Sequence, residues 1–323
     1  MSVAALSGCA TTAPRTPAEA ALPRPVAVEQ YVDGYQAYQR GDTQTAVREL
    51  EKAVSRNPNL LMARITLGEI YRKQNAYDSA ARQYEVLAEK DAYTISNHYY
   101  LGVSYQFLTR YRESVTAYLR GLKFEPQDFG SNMNLGTVYL AIGDADNAVL
   151  YLDKATQINP RSAVAWSNLG VALDARSSSV LAETAYRKSI ELDTASMPTL
   201  QNLAANLMLQ KKVGEGIYLW EQIVAKNKTS FTQTRLADAY TQGSEFAKAT
   251  EQVDDVLKRD PRYVPAVNAK ALVLARQYDL GGMINDAQRG EALRLWRASL
   301  SLNGDQPKVR DLLKKYEAET TLK

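Results

Sequence analysis

The feature that most constrains this chain is a beat of about 34 residues running through most of its length. Leu67-Gly68, Leu101-Gly102, Leu135-Gly136 and Leu169-Gly170 fall one period apart, and Leu203-Ala204 follows them. Four residues after each Leu stands a large side chain: Tyr71, Tyr105, Tyr139, Leu173 and Leu207. Later in each period comes a small residue (Ala46, Ala80, Ser114, Ala148, Ala182), and four further on Leu50, Tyr84, Tyr118, Leu152 or Tyr186. Pro58, Pro126, Pro160 and Pro261 close turns in step with this beat. They are separated by two periods, one period, and three periods less one residue. The i, i+4 spacing places the marked residues on one face of a helix. The small residues let two helices approach, and the proline stops the second before the next begins. A chain built this way buries each repeat only against its neighbours.

These residues resemble the tetratricopeptide repeat, whose pattern runs W-x2-L-G-x2-Y, then A-x3-F, then Pro. The resemblance covers residues 27–303 and implies an all-α fold, a right-handed superhelical solenoid of about eight helix pairs plus a C-terminal capping helix. Repeats begin near Ala27, Leu61, Ile95, Phe129, Ala163, Met197, Ser230 and Val264. The first carries Asp33-Gly34 where Leu-Gly is expected. The sixth is one residue short and lacks its proline around Lys226-Asn227-Lys228. In the eighth, Ala292 and Trp296 fit the second helix only with an insertion near 279–290, where Gly281-Gly282 argue for a loop rather than a longer helix. In residues 304–323, Val309, Leu312, Leu313 and Tyr316 form one apolar stripe among charges, as a helix capping the last open core face requires.

Composition narrows the function. The 323 residues carry 39 basic and 36 acidic side chains, a net charge of +3, which implies no concentrated basic face for nucleic acid. One Cys and one His exclude an internal disulfide framework and leave little material for zinc or triad chemistry. No P-loop, dinucleotide turn or metalloprotease His pair occurs. Asp279, Asn285 and Asp286 lack the Gly and closing Glu of an EF-hand. His98 takes the fourth position of its repeat, where Trp166 stands two repeats on, and reads as a packing residue. With nearly all residues assigned to repeats, we expect no catalytic residues, no cofactor, no metal and no small-molecule substrate.

Leu6-Ser7-Gly8-Cys9 resembles the lipobox of bacterial lipoprotein signal peptides, in which a peptidase cuts before the Cys and the Cys carries the lipid. The resemblance implies that residues 1–8 are a signal-peptide remnant and that Cys9 is the lipid attachment site. Ala10, rather than Asp, follows the Cys and by the same family's sorting rule implies the periplasmic face of the outer membrane. A basic n-region and about 7 to 15 apolar residues do not fit before Cys9, so this reading puts the start codon upstream. Residues 9–26, rich in Ala, Thr and Pro, read as a flexible tether. The alternative is a cytosolic adaptor protein in which Cys9 is incidental.

In solenoids of this family the first helix of each repeat lines the groove through its second, fifth, sixth, ninth and twelfth positions. Asn134, Asn168 and Asn202 occupy the sixth position of three successive repeats. A carboxamide offers donor and acceptor, so a row of them can hold the backbone of an extended segment. The row resembles the asparagine ladder in the tetratricopeptide region of O-GlcNAc transferase, although each Asn can equally bond a neighbouring helix end or water. Tyr100, Arg235 and Ala269 take the sixth position elsewhere. Tyr99, Tyr100 and Met133 extend the candidate surface, with Leu140, Val171, Met208 and Leu209 reading as groove or as packing between helices. Tyr31, Tyr35 and Tyr38 give the first repeat an aromatic face that grips a peptide or seals the end. The carboxylate clamp of the family's chaperone-binding branch is absent, since Met133, Val171 and Tyr99 stand where its basic groups belong. The expectation is a non-enzymatic scaffold of the bacterial envelope that binds an extended or helical protein segment, assisting assembly of a pilus, secretin or other envelope complex.

Overall fold

Helices account for every regular element of the computed structural model, which describes residues 25–318. The chain divides into two compact units, one ending at Arg110 and the other beginning at Tyr111. The first unit holds α1 (Val26–Gln39), α2 (Thr43–Arg56), α3 (Leu61–Lys73), α4 (Tyr77–Lys90) and α5 (Ile95–Phe107). The second opens with α6 (Tyr111–Leu122), α7 (Phe129–Ala141), α8 (Ala145–Ile158), α9 (Ala163–Ala175), α10 (Ser179–Leu192) and α11 (Met197–Leu209). It continues through α12 (Val213–Lys226), α13 (Ser230–Gln242), α14 (Phe246–Arg259), α15 (Val264–Leu280), α16 (Asp286–Leu302) and α17 (Pro307–Ala318). In the first unit α1 pairs with α2 and α3 with α4; in the second α7 pairs with α8, α9 with α10, α11 with α12, α13 with α14 and α15 with α16, and α17 packs on α16 as the cap. Cys9 and the lipobox-like sequence lie outside the described residues.

Each pair closes on two columns of side chains. Small residues stand at the eighth position of the first helix and the twentieth of the repeat. The twenty-fourth position carries Leu50, Tyr84, Tyr118, Leu152, Tyr186, Trp220, Val253 and Trp296, all buried. At the eighth position a Cβ on Gly136 would sit 2.5 Å from Leu152 Cγ, and one on Gly170 2.5 Å from Tyr186 Cε1. The first repeat keeps this glycine as Gly34, facing Leu50, so Asp33 changes the neighbouring position only.

Turns inside repeats share one design. Three residues join the helices, and the middle one takes a left-handed backbone: Gly41, Asn75, Thr109, Gly143, Ser177, Lys211 and Ser244. Turns between repeats share another. The side chain at the fourth position of the first helix donates to the carbonyl six residues upstream. Arg64 Nε bonds Pro58 O (2.8 Å), Asn132 Nδ2 bonds Pro126 O (3.0 Å) and Trp166 Nε1 bonds Pro160 O (2.9 Å). His98 Nε2 does the same to Ala92 O at 2.8 Å, so the chain's one histidine is a buried turn-closing donor. Arg310 repeats the contact to Gly304 O at the start of α17. Neighbouring repeats are further tied by Tyr71 to Glu51, Tyr105 to Glu85 and Tyr240 to Glu221, at 2.5 to 2.6 Å.

The eighth repeat has the loop expected at its two glycines, but the loop takes up only part of the insertion. Helices α15 and α16 are both 17 residues long, against 13 and 14 in a typical repeat, and only residues 281–285 join them. Helical register simply continues on both sides of the turn, so most of the insertion becomes extra helix. Asn285 caps α16 by accepting from Gln288 N, and Asp279 accepts from Tyr316 Oη at 2.7 Å. Helix α17 covers the resulting core face, burying Val309 and Tyr316 against Trp296 and Tyr278.

Candidate peptide-binding face

Within the second unit, first helices touch the next first helices: α7 meets α9, α9 meets α11, and α13 meets α15. Second helices do not come together in the same way. The repeats therefore bend toward the face carried by the first helices, which makes that face the hollow one.

Asn134, Asn168 and Asn202 lie half-buried on α7, α9 and α11. Among the described residues the carboxamides of Asn168 and Asn202 have no hydrogen-bond partner, which sets aside for these two the reading that they merely tie helix ends together. Thr137 Oγ1 donates to the backbone carbonyl of Asn134. Met133 packs against the core cluster built around Leu152 and Leu169, as do Leu140 and Val171. Met208 is core, its sulfur pressed against Gly216, whereas Leu209 is 70% exposed.

Tyr99 and Tyr100 belong to the first unit. Tyr100 has its ring under the Arg72 guanidinium at 4.7 Å and 5.4 Å from the ring of Tyr84. Tyr99 meets it edge-on at 5.2 Å. This geometry holds Tyr100 in the packing between α3, α4 and α5. At the start of the array Tyr31 and Tyr35 stack at 5.9 Å, while Tyr38 donates to Glu69 and accepts from Lys73.

A second feature of the same face escapes a reading by sequence. A hollow of about 360 Å³ lies between α13, α15 and α17. Phe231, Thr234, Arg235 and Asp238 line it from α13, at the second, fifth, sixth and ninth positions of their repeat. Pro265, Asn268, Ala269 and Leu272 line it from the same positions of α15, and Val309 and Leu312 close it from α17. Arg235 Nη1 stands 3.5 Å from Asp238 Oδ2, with its guanidinium 5.3 Å from the Phe231 ring. Burial pushes the Asp238 carboxyl up to about 6, although Arg235 pulls it down. The one signal in the sequence was the switch from Asn to Arg235 and Ala269 at the sixth position. Among the described residues, no three His, Cys, Asp or Glu side chains converge as a metal site.

With the face described, comparison with known proteins gives the repeat its name. The family model described as "Tetratricopeptide repeat" matches residues 31–93 and 99–163. Over those stretches the helix pairs match the tetratricopeptide repeat. A solved tetratricopeptide repeat protein from Parabacteroides merdae is similar in fold, with a TM-score of 0.53 and 15% identity, over 90% of this chain and 99% of its own. The Cut9-Hcn1 hetero-tetramer of the APC/C is similar over 84% of this chain and 52% of its own, with a TM-score of 0.55 and 17% identity. At the sequence level, the BBSome complex member bbs-4 of Caenorhabditis elegans is 24% identical over 152 residues, 47% of this chain. The matched stretch spans 33% of that relative's length.

Proposed function

We propose that this chain is a non-enzymatic protein-interaction scaffold whose first-helix face binds an extended segment of a partner protein. The observation that carries the reading is the pair of unspent, half-buried carboxamides of Asn168 and Asn202, one repeat apart on adjacent first helices. Peptide backbone presents one donor and one acceptor per residue, and a carboxamide answers both without reading the sequence. Similar folds and sequences in members of multiprotein assemblies, the Cut9-Hcn1 hetero-tetramer and the BBSome, support the same kind of role. The test is affinity capture of the native partner by the full chain against Asn134→Ala, Asn168→Ala and Asn202→Ala combined. Partner recovery falls several-fold while helicity and melting stay close to wild type; equal recovery would end the reading.

The cellular setting proposed is the bacterial envelope, where the scaffold would assist assembly of a pilus, secretin or other envelope complex. Its support is the lone Cys9 within Leu6-Ser7-Gly8-Cys9. Natively expressed protein, with its natural upstream region, should enter the detergent phase and carry lipid mass on Cys9, and Cys9→Ala should abolish both. Unmodified, aqueous protein would place the scaffold among cytosolic adaptors instead.

A further inference from the structure

Charge is spread unevenly over the middle of the second unit. The second helices α8, α10 and α12 carry ten charged side chains between them, and the first helices α7, α9 and α11 carry one. At the chain-wide share of 23%, those three 13-residue first helices would hold about nine. Their single charge, Asp174, is spent inside the fold. Its Oδ2 accepts from Tyr186 Oη at 3.0 Å and its Oδ1 from Asn206 Nδ2 at 2.6 Å.

Packing does not demand this neutrality. First helices elsewhere in the array keep charges: α3 has Arg64, Glu69, Arg72 and Lys73, and α13 has Arg235 and Asp238. The neutral helices also show part of their face to solvent, where Val164, Ala205 and Leu209 are exposed and Asn134, Asn168 and Asn202 are half-buried. Exposed helix positions accept Lys or Glu at almost no cost in helix propensity. A surface kept free of charge where folding would tolerate it points to what must lie on it.

An ionised side chain laid against this face gives up hydration and gains no opposite charge, a loss that a neutral hydrogen bond does not return. An uncharged segment meets no such cost. Its backbone N–H and C=O groups pair with the carboxamides, and small or aliphatic side chains lie on Val164, Val171, Ala205 and Leu209. Discrimination against a partner by an uncompensated charge is a general route to specificity. Neighbouring first helices touch, and packed helices stand about 8–10 Å apart, so the face from α7 to α11 matches about six extended residues.

We propose that the face of α7, α9 and α11 selects its occupant by the absence of charge: the bound stretch is an extended run of about six uncharged residues. Asp, Glu, Lys and Arg are refused within the run. They are accepted beyond it, where the next first helix, α13, restores charge through Arg235 and Asp238. This assignment rests on the peptide-binding reading and names the chemistry of the segment that the face takes.

The test is a random dodecamer display library, selected in parallel on the full chain, on Ala205→Glu, on Ala205→Lys and on Asn168→Ala combined with Asn202→Ala. Ala205 is exposed on α11, and both replacements are good helix formers, so the helix keeps its shape. Sequences enriched on the wild type hold a run of about six positions in which the four charged residue types together fall at least about fivefold below library frequency. Ala205→Glu brings Lys and Arg into that run, and Ala205→Lys brings Asp and Glu, a reversal that a purely structural role would not produce. Enrichment that depends on Asn168 and Asn202 yet carries charged residues at library frequency would overturn the charge-free assignment and keep the face. A charge-free consensus that neither Ala205 variant changes would overturn the assignment as well. Enrichment indifferent to Asn168 and Asn202, or no enrichment at all, would sink the face and the assignment together.

Discussion

Thr109 holds φ at 58° in the turn after α5, where Gly41 and Gly143 serve in equivalent turns. A β-branched side chain in that region crowds the backbone, at about 1–3 kcal/mol. Glycine there loses more freedom on folding but meets no clash. Thr109→Gly should therefore raise stability by about 0.5–1 kcal/mol, read as a higher midpoint in urea. Asp238 makes an opposite kind of sacrifice. Its folded pKa, about 6, lies above the ordinary carboxylate value, so the folded chain holds this proton more tightly than the unfolded chain. Stability from this group is present at acid pH and is lost as pH rises from about 4 through about 6. The side chain is 31% exposed and partly screened, which limits the loss to on the order of 1–2 kcal/mol. Asp238→Asn should remove that slope from melting curves taken between pH 4 and 7 and raise the melting temperature at pH 7. A residue that costs stability while lining a hollow fits binding better than folding.

At the scale of elements, repeated contacts matter more than repeated residues. Arg64, His98, Asn132 and Trp166 share no chemistry except an N–H at the right reach, and each closes the turn before its helix. That is why a histidine can sit here with no catalytic meaning. The same logic explains the cap. Among the described residues helix α17 is followed by no second helix, and its Tyr316 is 2% exposed, donates to Asp279 and packs on Trp296. Tyr316→Ala should cost about 3–5 kcal/mol by chemical denaturation, the range for losing a large buried ring. If the cost were under 1 kcal/mol, α17 would be an ornament rather than a seal. The Asp174 carboxylate shows how adjacent repeats are locked by polar contacts as well: it accepts from Tyr186 Oη at 3.0 Å and from Asn206 Nδ2 at 2.6 Å.

Across the whole molecule, stability is a chain of neighbour contacts, so protection should depend on how many neighbours an element has. Within the second unit, α9 to α12 are covered on both sides, and α17 on one. Native-state hydrogen exchange should find the slowest amides in α9 to α12 and the fastest in α17. Uniform exchange throughout the unit would instead indicate one cooperative core. Within the second unit the proposed binding face likewise runs over successive first helices, which suits the proposed scaffold holding a segment by many weak contacts.

The sequence by itself determined the helix pairing, because small and large residues recurring in phase leave one way to bury both. It also placed α3, α5, α7, α9, α11, α13 and α15 at their opening residues, since the beat marks where each new helix must begin. The length of α15 and α16 was beyond it: Gly281-Gly282 signal a turn, but only packing against α17 decides how far helix continues on either side. The hollow at Asp238 and Asn268 was beyond it too. It needs three helices in a register that follows a shortened sixth repeat and an insertion, and the buried Asn268 Oδ1 lacks a partner only because Gln306, 38 residues away, has spent its own donors elsewhere. Local pattern sets what each element is; which polar atoms are left unpaired is decided only when distant elements meet.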